Sequence, residues 1–275
     1  MAARRGFRAF AVATAAAAAL ASCTQSPGLQ VHSLQQAASQ GSRVRYVVLH
    51  YTATGRERSL AMLSQGPVSS HYLITDQATP RIYRLVDETR SAWHAGDSQW
   101  YGHTWLNSAS IGIEIVNAGW STGPDGTLSW EPYTEAQMQS LILLLRDIVE
   151  RHGIEPQNIV GHSDISPGRK HDPGPLFPWK RLALAGLGRW YDETAAAARR
   201  ARFERTGVPD AAWFQQALSR AGYAVPRHGV WDDSTRAALR AFQMHYRPAC
   251  YDGEPDAETA AILLSLDCQQ SCAGP

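Results

Sequence analysis

The stretch RVRYVVLHYTA, residues 43–53, decides the fold class, because its β-branched and aromatic residues are typical of a buried β-strand. Successive side chains of a strand point to opposite faces, so Tyr46, Val48 and His50 are predicted to share one face. His50 lies near the end of the strand. The sequence therefore predicts a central strand that carries an imidazole at the rim of its sheet.

Four further strands are predicted downstream of this one. They are HYLIT (71–75), RIYRLV (81–86), SIGIEIVN (110–117) and NIVGH (158–162). In SIGIEIVN the three isoleucines share one face, and Glu114 projects from the opposite face.

Two helices are predicted between these strands and after them. Apolar residues at helical spacing predict a helix over 134–153, which begins with a capping box from Thr134 to Gln137 and ends at Gly153. A second helix is predicted from about Trp179 onward. Because strands and helices are interleaved, the predicted fold class is α/β, a mixed β-sheet flanked by helices.

The C-terminal part of the chain is predicted to be a small all-α domain. The segment 193–207 has no broad apolar stripe and is interpreted as a charged helical linker. Two similar pieces follow, DDSTRAAL from Asp232 and DAETAAIL from Asp256, and each resembles an Asp-capped helix start. Together with WFQQALSRAG (213–222) they predict a three-helix domain. The predicted divisions are signal peptide 1–22, tether 23–42, catalytic domain 43–192, linker 193–207, C-terminal domain 208–266 and tail 267–275.

The N-terminus is predicted to be a bacterial lipoprotein signal peptide. MAARRGFRAF (1–10) is basic, and the alanine-rich run 11–22 has the length of a secretory signal rather than of a membrane span. LASC (20–23) matches the lipobox, whose cysteine receives lipid. The alternative is an ordinary cleavage site before an unrelated cysteine. Because Thr24 rather than aspartate follows, we expect a lipid anchor at Cys23 on the periplasmic face of the outer membrane, in the cell envelope.

Charge and cysteine content limit the partners and the compartment. Removing residues 1–22 takes away three arginines and no acid, so the formal net charge of +1 falls by three to −2. A slightly acidic chain argues against nucleic acid as a partner. Cys250, Cys268 and Cys272 lie at the C-terminal end, where one disulfide and one free thiol could form in an oxidising compartment, with the pairing left open.

The stretch GHSDISPGRKHDPGPLFPW, residues 161–179, carries a group of metal-capable side chains. His50 and His162 each end a predicted strand, so their imidazoles would converge at one rim of the sheet. Prolines and glycines between His162 and Asp172 let the chain double back as a loop without running helical, and return the carboxylate to the same place. Two imidazoles and a carboxylate with one open position are typical of catalytic zinc.

Five motifs resemble the zinc-dependent N-acetylmuramoyl-L-alanine amidases of the AmpD and AmiD type. They are HYTA at His50, SSHYLI at Ser69, WHAG at Trp93, SIGIE at Ser110, and the 161–179 stretch. The segment GYAVPRHGVWDDSTRAALRAFQ (222–243) is similar to the peptidoglycan-binding domain often attached to these enzymes. A lipobox, a catalytic domain and a binding domain in that order resemble the AmiD branch.

The resemblance implies the chemistry and the residues that perform it. The family hydrolyses the amide between N-acetylmuramic acid and L-alanine in peptidoglycan or muropeptides, with one Zn²⁺ per chain. Its metal ligands fall on His50, His162 and Asp172, its catalytic carboxylate on Glu114, and its catalytic lysine on Lys170. Glu114 would move the proton to the leaving nitrogen, and Lys170 would stabilise the oxyanion.

Other polar residues of these motifs have more than one interpretation. His71, Trp93 and His94 are predicted to contact substrate, although both histidines could instead be structural. Asp164 is expected to orient the loop or a ligand by hydrogen bonding.

Two alternative functions share part of this pattern. A non-catalytic peptidoglycan recognition protein would lack a metal ligand or the catalytic acid, and a cytosolic amidase of anhydro-muropeptides would lack the export signal and the binding domain. We expect residues 208–266 to bind the cell wall without cutting it, so a chain ending near Arg205 is expected to hydrolyse small soluble muropeptides.

Overall fold

The computed structural model describes residue 34 and residues 36–272, with side chains described through residue 267. The chain divides into two units, residues 1–40 and residues 41–275. The predicted signal peptide and Cys23 lie outside the described residues. In the first unit, the described residues form no strand or helix.

The second unit contains all of the regular secondary structure that is described. Its strands are β1 Tyr46–Tyr51, β2 Tyr72–Ile74, β3 Ile82–Arg84, β4 Gln99–Trp100, β5 His103–Thr104, β6 Ser110–Ile115, β7 Trp120–Thr122, β8 Leu128–Trp130 and β9 Ile159–Gly161. Its α-helices are α1 Arg56–Gln65, α2 Glu135–His152, α3 His162–Ile165, α4 Trp179–Leu184, α5 Glu193–Thr206, α6 Ala211–Ala221, α7 Asp233–Tyr246 and α8 Ala257–Cys272.

The main sheet is mixed, which confirms the predicted fold class. Its strand order is β3-β2-β6-β1-β9, with β3 antiparallel at one edge and the other four strands parallel. In this register His50 pairs with Glu114 on β6, and Leu49 pairs with Gly161 on β9. The carboxyl ends of β1, β6 and β9 therefore meet at one edge.

One face of the sheet packs against α2. The capping box is present as predicted, with Thr134 accepting from the backbone of Gln137, and the helix ends at Gly153 in the left-handed conformation (φ 66°). The buried residues of this layer form one apolar cluster, which includes Val47, Leu49, Ile111, Ile113, Ile115, Met138, Leu141, Leu145 and Ile148.

The other face lies within a cluster that the C-terminal helices complete. Tyr46 and Val48 of β1 and Val160 of β9 belong to the same buried cluster as Phe214 of α6 and Phe242 of α7. The contact between the two regions is direct, because the rings of Trp100 and Tyr223 lie 5.1 Å apart and Trp179 stacks on His245 at 3.8 Å. The regions that the sequence separates thus share a hydrophobic core.

The C-terminal region is helical, as predicted, and its two similar pieces are built in the same way. Asp232 and Asp256 each accept a hydrogen bond from the backbone three residues later, as predicted for helix N-caps. A buried glutamine also braces each preceding loop. Gln215 accepts from Gly229 and donates to Thr235, whereas Gln243 accepts from Gly253 and donates to Thr259. These paired contacts explain why both pieces carry an aspartate and a threonine at the same spacing.

Two further features concern the membrane and the cysteines. Over residues 34 and 36–272, no helix combines the length and the hydropathy that are needed to span a bilayer. The thiol of Cys250 forms no disulfide with a described side chain, and the side chains of Cys268 and Cys272 lie outside the described residues.

We predict that Glu88 makes the stability of the fold sensitive to acid. Burial alone would raise the pKa of Glu88, but hydrogen bonds from Arg151, Tyr72 and His152 outweigh it and lower the pKa from 4.5 to about 2. Because the pKa of Glu88 is lower in the folded chain than in the unfolded chain, ionised Glu88 stabilises the fold at pH values above 4.5. This contribution to the free energy of unfolding is lost as the pH falls from 4.5 towards about 2.

Because the guanidinium of Arg151 is partly exposed, we expect an effect of roughly 1 kcal/mol. Urea unfolding of the native chain and of Glu88→Gln at several pH values measures it. The free energy of unfolding of Glu88→Gln should vary less between pH 5 and pH 2. Equal slopes for the two proteins would contradict the assignment.

Candidate metal centre and active site

The register of β1 and β9 brings two histidines together. His50 follows Leu49, His162 follows Gly161, and those two preceding residues are paired. The imidazole centroids lie 4.5 Å apart, and both side chains are buried.

The segment that begins at His162 was predicted to be a loop without helix. This prediction is wrong for its first four residues, His162–Ile165, which form the short helix α3. The carboxylate of Asp164 accepts from the backbone N–H of Gly161 and stabilises the single turn of α3.

Asp172 completes the cluster. Its Oδ2 lies 2.8 Å from Nδ1 of His50 and 3.1 Å from Nδ1 of His162. The backbone N–H of Ser163 donates to the carbonyl of Asp172 at 2.8 Å, which ties the returning loop to α3. One ligand atom from each of the three residues lies within 4.8 Å of the others, and all three residues are buried. Such a cluster could hold a metal ion.

The outward nitrogen of His50 is held by His94. Nε2 of His50 lies 3.1 Å from Nδ1 of His94, and Nε2 of His94 lies 3.2 Å from Oγ of Ser110. Ser110 in turn donates to the carbonyl of Leu106 at 2.6 Å. Nδ1 of His50 points at the cluster, so Nε2 of His50 can carry the proton and donate to His94. In the same way, Nε2–H of His94 donates to Ser110, and every group in this row of hydrogen bonds then has a partner. Gly112 leaves space for it, because a Cβ there would lie 2.5 Å from the ring of His94.

The outward nitrogen of His162 is held by the loop that contains WHAG. Nε2 of His162 lies 3.1 Å from the carbonyl oxygen of Ala95. The guanidinium of Arg169 donates to that same oxygen and to the carbonyl of Asp97, both at 2.7 Å. The sequence analysis did not identify Arg169 as a residue of the site. Its position in SPGRK, directly before Lys170, was the feature of the sequence that could have indicated it.

The electrostatics of the cluster suit a cation. Burial, followed by the nearby His162, lowers the pKa of His50 to about 4, so its imidazole is neutral at pH 7 and can bind a metal. Burial would raise the pKa of Asp172, but His162 and His50 outweigh it, so this carboxyl stays ionised. Two imidazoles and one carboxylate form a donor set that fits a divalent metal.

Glu114 and Lys170 lie beside the cluster and outside it. Glu114 is the partner of His50 in the sheet register, and its Oε2 is buried with no hydrogen-bond partner among the described residues. Burial, and then the charge of Asp172, raises the pKa of Glu114 well above its usual range. Lys170 is half-buried and has no hydrogen bond or ion pair among the described side chains, while its charge acts on both His50 and Glu114.

The three residues predicted to contact substrate are placed differently. Trp93 is 60% exposed, so its ring is available to a ligand. His94 is buried against His50. His71 is 1% exposed, and its ring nitrogens lie 3.0 Å from the backbone N of Gly112 and 3.1 Å from the carbonyl of Arg90. For both histidines the geometry favours the structural alternative.

Comparison with known proteins decides the family. The family model described as N-acetylmuramoyl-L-alanine amidase matches residues 40–175, and the peptidoglycan binding domain model matches residues 204–263. The chain is 43% identical over 268 residues to the N-acetylmuramoyl-L-alanine amidase AmiD of Escherichia coli, which covers 92% of this chain and 95% of that protein. This chain belongs to the N-acetylmuramoyl-L-alanine amidase family. The amidase is therefore an enzyme, as the sequence predicted.

Solved structures agree with this assignment over both regions of the amidase. The crystal structure of AmpDH3 from Pseudomonas aeruginosa matches with a TM-score of 0.80 and 42% identity, covering 88% of this chain and 98% of that one. AmiD from E. coli, in complex with the substrate anhydro-N-acetylmuramic acid-L-Ala-D-gamma-Glu-L-Lys, matches with a TM-score of 0.79 and 42% identity, covering 88% and 95%.

Proposed function

We propose that this amidase is a zinc-dependent hydrolase that cleaves the amide bond between N-acetylmuramic acid and L-alanine in peptidoglycan or muropeptides. One observation carries the proposal. The side chains of His50, His162 and Asp172 converge next to a buried carboxylate oxygen of Glu114 that has no hydrogen-bond partner in the described part of the chain. A non-catalytic recognition protein would not need this combination of a metal cluster and an available acid.

Zinc fits the donor set, and the rest of the site suits amide hydrolysis. When bound, zinc supplies Lewis acidity and makes a water nucleophile available at neutral pH. We infer that Glu114 would hold the proton of the attacking water and deliver it to the leaving nitrogen of L-alanine. The ammonium of Lys170 supplies positive charge for the developing oxyanion. The exposed ring of Trp93 offers an apolar surface to the substrate.

We expect His162→Ala to lose zinc and activity together, because it removes one of three ligands. Metal content and the hydrolysis of a soluble muropeptide, followed by mass analysis, measure both effects. The matched control is His228→Ala, which removes an exposed histidine of the C-terminal region. A chelator should abolish the activity of the native enzyme, and zinc should restore it. Full activity of His162→Ala, or of the chelated native enzyme, would overturn the zinc proposal.

We infer a role at the cell envelope, with the helical C-terminal region binding peptidoglycan. The match to the peptidoglycan binding domain model supports this role, as does the similarity to AmiD over most of its length. The AmpD enzymes are similar to a smaller part of the chain, because the AmpD of E. coli matches only 42% of it.

We also propose that lipid at Cys23 holds the enzyme on the periplasmic face of the outer membrane. The lipobox LASC and the basic N-terminal segment support this proposal. Cys23→Ser is expected to release the enzyme from the membrane fraction while leaving its hydrolysis of soluble muropeptides unchanged. Membrane fractionation with labelled palmitate measures this, and a variant that stays in the membrane fraction would refute the anchor.

A further inference from the structure

A buried carboxylate beside the candidate metal centre is held by the C-terminal helical region. Asp164 lies two residues after His162 and is 0% exposed. Its Oδ2 accepts from the backbone N–H of Gly161 and from Nδ1 of His245, both at 2.8 Å. Its Oδ1 accepts from the hydroxyl of Tyr223 at 2.7 Å. Two of its three donors therefore come from the region matched by the peptidoglycan binding domain model.

The ring of His245 is oriented for this one hydrogen bond. It is stacked between Trp179 at 3.8 Å and Tyr246 at 4.0 Å, with interplanar angles of 11° and 18°. Its Nε2 is buried and has no partner among the described groups. The polar contact of the imidazole is thus made through Nδ1 alone, to Asp164.

Asp164 is connected to two of the candidate metal ligands. By accepting from Gly161, its carboxylate stabilises the start of α3, where His162 is the first residue. The next residue, Ser163, donates its N–H to the backbone carbonyl of Asp172. The conformation of this single turn therefore sets the separation between His162 and Asp172.

We propose that His245 and Tyr223 are positioning residues for the metal centre, and that they act through Asp164. The C-terminal region would then have a second role in addition to wall binding, because it orients the loop that carries two metal ligands. This inference rests on the proposed function, since it requires that the cluster bind zinc. A carboxylate this deeply buried needs its donors, so losing one favours a different conformation of α3.

The alternative is that these residues only stabilise the contact between the two regions. Four full-length variants separate the two possibilities. Tyr223→Phe and His245→Leu each remove one donor to Asp164, whereas His245→Asn keeps an amide donor near the position of Nδ1. Tyr251→Phe is the matched control, because its hydroxyl accepts from Nε1 of Trp130 at 2.8 Å and joins the same two regions away from Asp164.

Two measurements are made on each variant. The zinc dissociation constant is obtained by competition with a coloured chelator, and amide hydrogen exchange at Gly161 and Ser163 is followed in the metal-free protein. Removing a group that orients a metal ligand typically weakens metal binding 10–100-fold. We expect Tyr223→Phe and His245→Leu to raise the zinc dissociation constant about tenfold or more. Exchange at both amides should also become faster.

We expect His245→Asn and Tyr251→Phe to remain within about twofold of the native zinc affinity, a range too small to reflect a displaced ligand. Native affinity in folded Tyr223→Phe and His245→Leu would overturn the inference, as would an equal loss in Tyr251→Phe. If His245→Leu fails to fold, Tyr223→Phe alone still decides. Failure of the proposed function looks different, because the native enzyme itself would then bind no zinc, while the amide-exchange comparison remains interpretable.

Discussion

Glu114→Ala is expected to lower the turnover of the amidase roughly a hundredfold or more while the enzyme keeps about one zinc per chain. Glu114 is not among the three residues whose ligand atoms converge, so its removal leaves the metal donors in place. Its Oε2 makes no hydrogen bond to any described group, so the variant loses no described hydrogen bond at that atom. Glu114→Gln, which has the same shape without the acid, should behave in the same way.

Zinc content, circular dichroism and muropeptide hydrolysis should be measured on the same samples. Glu131→Gln is the matched control, because it neutralises a carboxylate whose one hydrogen bond among the described residues comes from the backbone N–H of Ala118. It is expected to keep native turnover. A folded, zinc-loaded and fully active Glu114→Ala would rule out the proton-transfer role. An unfolded Glu114→Ala would assign this residue to the stability of the sheet.

A chain ending at Arg205 is expected to lose its folded state, and with it the hydrolysis of small soluble muropeptides. The sequence predicted the opposite, because every candidate site residue precedes this position. In the structure, Tyr46, Val48 and Ile165 belong to a buried cluster that Phe214 and Phe242 complete. Each large apolar side chain returned to water costs about 1.5–3 kcal/mol.

The truncation would also leave Asp164 with one of its three donors, at about 1–3 kcal/mol for each lost partner. These costs together are comparable to the total stability of a domain, about 5–15 kcal/mol. Solubility, circular dichroism and muropeptide hydrolysis of the truncated chain measure the effect. A soluble, folded and fully active truncated enzyme would show that the catalytic region is independent.

The sequence alone determined the local features of this protein. The alternation around His50 and Glu114 predicted β1 and β6, and the capping box at Thr134 predicted where α2 begins, because both patterns depend on residues within a few positions of each other. The approach of His50 and His162 also followed from the sequence, since parallel neighbouring strands end at the same edge of a sheet.

Only the tertiary structure decided what covers the second face of the sheet and what surrounds Asp164. Tyr223 and His245 are 59 and 81 residues away from Asp164 along the chain. The periodicity of apolar residues shows that a helix face is buried, but it does not show which surface buries it. A single histidine or tyrosine on such a face carries no signal for a distant carboxylate. Packing in three dimensions brings these groups together. The link between the C-terminal helices and the loop that carries His162 and Asp172 is therefore visible only in the tertiary structure.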